Sequence, residues 1–177
     1  MKTLFTFVLP IGILLCGLYL SFTTNILKDS SQNPNKPYSF SKTQLIWWSL
    51  IIICCYSAYF GINGKVATLD QSILILLGIS LGTTTAARMI DVNEIQNRIS
   101  RHQDQNNAKS FLPNILSDKE GISVPRFQSL CFNLVFGLIF ITTFLSDNTF
   151  YQFGTIELTL LGISSAGYVG MKSTENK

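Results

Sequence analysis

Charge is scarce in this chain. Of its 177 residues only 13% are Asp, Glu, Lys or Arg, about half the share usual in a soluble domain. Histidine is almost missing: His102 stands alone in a polar stretch, which excludes a multi-histidine metal site or a histidine-based triad within one chain. The cysteines Cys16, Cys54, Cys55 and Cys131 all fall in apolar runs without C-x-x-C spacing. They read as small apolar packing residues, neither a disulfide framework nor a zinc site. No glycine-rich phosphate loop is present, because Gly78 and Gly82 belong to an apolar segment without strand-turn-helix context. The net charge of +3 is modest and no basic arm for nucleic acid stands out. Together these absences point away from an enzyme and from any cofactor.

Apolar length is what the chain has in quantity. Hydrophobic residues make up 47% of it, and five stretches, 3–22, 45–62, 69–87, 127–145 and 150–171, approach the roughly 20 apolar residues that a spanning helix needs. The pattern predicts an all-α integral membrane protein with five transmembrane helices and with lipid as its main solvent. The first stretch, with Lys2 before it, has the outline of a signal peptide. It lacks a convincing small-x-small cleavage site before Thr23, so a retained helix is expected.

The thirteen basic residues are unevenly placed. Lys28, Lys36 and Lys42 lie between the first two spans. Arg88, Arg98, Arg101, Lys109, Lys119 and Arg126 border or occupy the segment between the third and fourth, and Lys172 and Lys177 follow the fifth. Alternation puts these on one face and leaves Lys2 and Lys65 for the other. The positive-inside rule then predicts an outside amino terminus and a cytoplasmic carboxyl terminus.

The chain also repeats itself. LILLGIS at Leu74 to Ser80 returns as LTLLGIS at Leu158 to Ser164, and residues 39–88 align with 123–172 at the same displacement without a gap. Ser39 matches Ser123, Gln44 matches Gln128, Leu50 matches Leu134 and Phe60 matches Phe144; Lys42 pairs with Arg126, and Arg88 with Lys172. Each unit reads as a helix outward, a turn and a helix back. An even number of spans per unit makes the repeat parallel, its pseudo-axis along the membrane normal. The resulting division is an N-terminal helix (1–27), a cytoplasmic linker (28–38), hairpin 1 (39–90), a polar connector (91–122), hairpin 2 (123–172) and a tail (173–177). Within the connector, Val92 to Ile99 extends the third helix, and Phe111, Leu112, Ile115 and Leu116 form a short amphipathic piece interrupted by Pro113.

Small residues recur four apart on the returning helices: Gly78, Gly82 and Ala86 in one, Gly162, Ala166 and Gly170 in the other. Such a face lets backbones approach closely in lipid, so the third and fifth helices are expected to pack on each other, or on copies in a second subunit, through it. Glu157 is the one carboxylate expected inside a span, on a stripe with Ser164, Ser165 and Tyr168. With Ser80, Thr83 and Thr84 it is the candidate lining of a polar pathway; an interfacial position from which it snorkels is the alternative. The basic ends Lys42, Arg88, Arg126 and Lys172, with Gln44 and Gln128, are candidate contacts for lipid headgroups or an anion, or plain topology anchors. Asn133, within the fourth helix, is expected to bond across helices in packing.

The segments SFSKTQLIWWS, LLGISLGTTTAARMID, NILSDKEGISVPRFQSL and LLGISSAGYVGMK resemble a group of uncharacterised bacterial multi-pass membrane proteins with duplicated LLGIS-containing hairpins. The chain departs from that pattern at Pro125, where a polar residue usually precedes the arginine, and at Phe132-Asn133, where Trp-Thr is usual. The resemblance implies a bacterial inner membrane and carries no activity. The reading is a non-enzymatic scaffold, subunit or accessory component whose partners are the bilayer and a second copy or another membrane protein, with no nucleic acid. A small oligomeric channel or transporter is the alternative.

Overall fold

The computed structural model describes residues 3–32, 34–105 and 110–176. Lys2, Lys109 and Lys177, which entered the charge asymmetry, lie outside the described residues. The chain is helical almost throughout. A π-helical turn, Leu4–Val8, leads into α1 (Leu9–Thr23). Then come α2 (Phe40–Asn63), α3 (Gln71–Gln96), the short α4 (His102–Gln105) and α5 (Phe111–Leu116), a two-residue hairpin of β1 (Ser117–Asp118) and β2 (Gly121–Ile122), α6 (Val124–Asp147) and α7 (Thr155–Thr174).

The boundaries follow local chemistry. Ser39 caps α2, its hydroxyl accepting from the Lys42 amide at 3.5 Å, and the Asp70 carboxylate accepts from the Ser72 amide at 2.8 Å to start α3. Gly64 ends α2 and Asn148 ends α6, both in the left-handed region with φ of 66° and 52°, where only Gly and Asn sit cheaply. Each of these caps recurs at the repeat displacement: Ser39 with Ser123, Gly64 with Asn148, Asp70 with Gly154.

Four helices are long and apolar enough to cross a membrane: Leu4–Thr23, Phe40–Asn63, Gln71–Gln96 and Val124–Asp147. The fifth expected span, α7, has 20 residues but is diluted by Glu157, Ser164, Ser165 and Lys172. Helices α2, α3, α7 and α6 form a ring in that order, each touching the next, and α1 packs on α2. The two hairpins lie side by side with the same polarity. Trp48 of α2 donates to the Asn133 carboxamide of α6 at 2.6 Å, both residues nine positions into their helices. The cross-helix role expected of Asn133 is therefore present.

Two glycines set the close approaches. A Cβ on Gly61 would lie 2.3 Å from the Thr6 backbone nitrogen, and one on Gly137 would lie 2.7 Å from the Trp47 ring. The repeated small residues behave differently. The α3–α7 contact exists, yet it runs through Ile73, Leu76, Ser80, Thr83 and Ala87 against Leu161, Ser164, Ser165 and Tyr168, which are the buried faces. Gly78, Gly82, Ala166 and Gly170 are exposed, Ala86 and Gly162 half-buried, and a Cβ at Gly78, Gly82 or Gly170 would meet nothing within 4 Å. Within one chain the expected face is thus replaced by its neighbour, because the larger residues interdigitate and leave the glycines outside.

Candidate functional site

The turn end of the bundle is aromatic and dry. Trp48, Phe140, Phe144 and Phe153 pack around the α6–α7 turn, with Phe140 and Phe153 nearly parallel at 6.0 Å. Glu157 sits on the first turn of α7. One of its oxygens accepts from the Tyr151 hydroxyl at 2.8 Å and the other from the Gly154 amide. Both oxygens are spent in closing the helix start, so the carboxylate turns to its own N-terminus and away from Ser164 and Ser165.

The opposite end, where α2 and α6 begin and α3 and α7 finish, holds a buried ionic cluster. Lys172 is 1% exposed; its ammonium meets Asp29 at 2.8 Å and Asp91 at 3.1 Å. Arg101 pairs with Asp91 and, at 3.1 Å, with Glu94, and donates to the Ser30 carbonyl. Asn176 donates to Glu94 at 3.0 Å and accepts from the His102 amide at 3.0 Å. A second pair, Arg126 with Glu175 at 2.6 Å, ties the start of α6 to the end of α7, while Arg126 also donates to the Ser117 carbonyl. Burial alone would raise Asp29, but the charge and hydrogen bond of Lys172, with a hydrogen bond from Ser39 and the charge of Arg101, hold it below the usual carboxylate value. Glu175 goes the other way: burial pushes it up, and Arg126 and Lys172 only partly offset this.

This cluster corrects several expectations. Asp91 and Glu94 lie within α3 and are buried, so Glu157 is not the one carboxylate inside a long helix. The linker and connector are not separate polar segments. Asp29, held in a bridge that pairs Lys28 with Tyr38, and Arg101 both reach into the bundle end. The amphipathic piece forms α5 and packs on α6, burying Ile115 and Leu116. The tail contributes Glu175 and Asn176.

The basic quartet divides. Lys172 and Arg126 are buried and ion-paired, Lys42 is half-buried and donates to the Lys28 carbonyl, and Arg88 is exposed. Gln44 is buried and Gln128 exposed. From the cluster a polar track runs inward. Gln44 donates to Ser165 at 3.3 Å, and Ser164 to Ser129 at 3.4 Å. Thr84 donates to the Ser41 and Ser80 carbonyls, Thr83 to that of Ile79. The Ser80 hydroxyl and the Gln44 carboxamide oxygen are buried without a hydrogen-bond partner.

Sequence reasoning missed Asp29, Asp91, Glu94, Arg101, Glu175 and Asn176. For two of them a signal existed. Ile73, Leu76, Ser80, Thr83, Ala87, Asp91 and Glu94 follow one another in steps of three and four, so the two carboxylates continue the buried face of α3. Among the described residues no group of His, Cys, Asp or Glu is arranged to hold a metal ion. No family model, curated protein or solved structure matches the chain.

Proposed function

We propose that the chain is a five-span membrane protein of the bacterial inner membrane that acts as a non-enzymatic scaffold or accessory subunit. The observation that carries this reading is the use made of its buried charge. Lys172, Arg101 and Arg126 are each matched to carboxylates of the same chain, and they join the linker, the connector and the tail to the helix ends. Charges committed in this way fasten the fold and leave apolar side chains outward, among them Leu74, Leu81, Leu145 and Ile163. In this reading α7 crosses as the fifth span, sheltered by its place in the ring between α3 and α6. The duplicated caps support two parallel hairpins, and the basic residues put the ionic end in the cytoplasm.

The exposed Gly78, Gly82, Ala166 and Gly170 then serve contact with a second copy or a partner helix. Gly82→Leu with Ala166→Leu tests this cleanly, since both positions are exposed in the single chain. The expected result is loss of assembly in nanodiscs with an unchanged helical signal; an unaffected particle size contradicts it. In a cysteine-free background, an impermeant thiol reagent outside the cell should label Cys placed at Ser146 and spare Cys placed at Glu120. The reverse pattern overturns the orientation.

The unpartnered Ser80 hydroxyl and Gln44 oxygen favour a second reading, a hydrated path along the serine track in a channel or transporter. Ion flux in liposomes that falls on Ser80→Ala supports this path; no flux from the wild type supports the scaffold.

A further inference from the structure

Between α2, α5 and α6, at the ionic end, lies a cavity of about 220 Å³ walled by Phe40, Gln44, Trp47, Phe111, Leu130 and Leu134. Its lining is almost entirely apolar, and it opens between helices whose outer residues, such as Leu112 and Phe127, are exposed and apolar. In a bilayer such a groove faces hydrocarbon. Two features make it more than a gap between helices. The first is Gln44, 4% exposed and one turn into α2, whose carboxamide nitrogen is used by Ser165 and whose oxygen has no partner. A buried acceptor left empty is costly, so a ligand that donates a hydrogen bond there removes the penalty.

The second is charge at the rim. The Lys28 ammonium lies over the Tyr38 ring at 5.6 Å, and Tyr38 packs edge-on at 5.1 Å against Phe111, a wall of the cavity. Lys42 adjoins Thr43, another wall residue, and its ammonium donates to the Lys28 carbonyl. That bond uses one of its three protons. Two cations at the entrance complement an anion, and the apolar interior complements a hydrocarbon chain.

We propose that this cavity seats one acyl chain of an anionic phospholipid, with the phosphate against Lys28 and Lys42 and a headgroup hydroxyl donating to the Gln44 oxygen. Those three requirements describe a phosphatidylglycerol-type lipid. The proposal rests on the membrane reading above.

Trp47 lines the cavity, so it reports occupancy directly. The full chain is reconstituted in zwitterionic vesicles containing a minor fraction of either phosphatidylglycerol or phosphatidylcholine with brominated acyl chains, and tryptophan quenching is compared. The expected result is several-fold stronger quenching by the brominated anionic lipid, lost when Lys28→Gln and Lys42→Gln are combined. Thr43→Phe, which fills the cavity and leaves both lysines, should also remove the excess. Equal quenching by the two lipids, or an excess that survives both variants, overturns the site and leaves only annular lipid. A chain that does not float with either vesicle overturns the membrane reading and the site together.

Discussion

The two ends of the helical ring are held in opposite ways. At the turn end, Phe140, Phe144, Phe150 and Phe153 fill the space between short turns, and the one carboxylate there, Glu157, serves its own helix start. At the other end Asp29, Asp91 and Glu94 meet Lys172 and Arg101 away from solvent. The difference follows from what each end must join. Short turns bring the helices of each hairpin together, and apolar packing suffices. The linker, connector and tail come from distant parts of the chain, so fastening them takes directional bonds. Buried ion pairs give little net stability compared with apolar replacements, yet breaking one partner is severe. The ionic end is therefore the more specific and the more fragile.

The comparison is broken most strongly by Lys172→Met, which strands Asp29 and Asp91 and should destabilise the fold by about 3–5 kcal/mol, read by detergent-titrated unfolding. Phe140→Ala at the turn end should cost less, about 2 kcal/mol. Its unfolded reference also lies in lipid, so only the packing part of the usual cavity cost is lost. Acid separates the ends without mutation. Because Asp29 is held below its ordinary value, its contribution is present above the unfolded carboxylate pKa, about 3.9, and disappears as pH falls through the lower folded value. Glu175, pushed up, has the opposite sign and softens the loss. Thermal unfolding should therefore drop in acid below about pH 4, and Asp29→Asn should flatten that limb. The smallest effect concerns glycine. Gly137→Ala should cost about 1–3 kcal/mol by crowding Trp47, whereas Gly82→Ala should stay within about 0.5 kcal/mol in a dispersed single chain.

The long helices could be read from the sequence because apolar length is a strong signal, and the caps Ser39, Asp70, Gly64 and Asn148 stand at the residues that chemistry prefers. The α3–α7 pairing was legible too, but its face was not: repeated glycines mark where close approach is possible, and the buried side chains decide where it happens. Lys172 and Arg126 looked like interface anchors because sequence shows a cation near a span end and not the carboxylate that will reach it. Asp29 lies 143 positions from Lys172, a separation that no helical periodicity spans. Asp91 and Glu94 were readable on the α3 face, and were hidden by taking the span to end where polarity begins.

The account turns on whether Lys172 and Asp29 act as one unit. A double-mutant cycle of Lys172→Met and Asp29→Asn, measured by unfolding in mixed micelles, tests this most directly. The account predicts that the double variant loses less than the sum of the singles by about 1.5–3 kcal/mol. Losses that add to within about 0.5 kcal/mol would mean that the two residues do not hold each other, and would contradict the ionic fastening of this end.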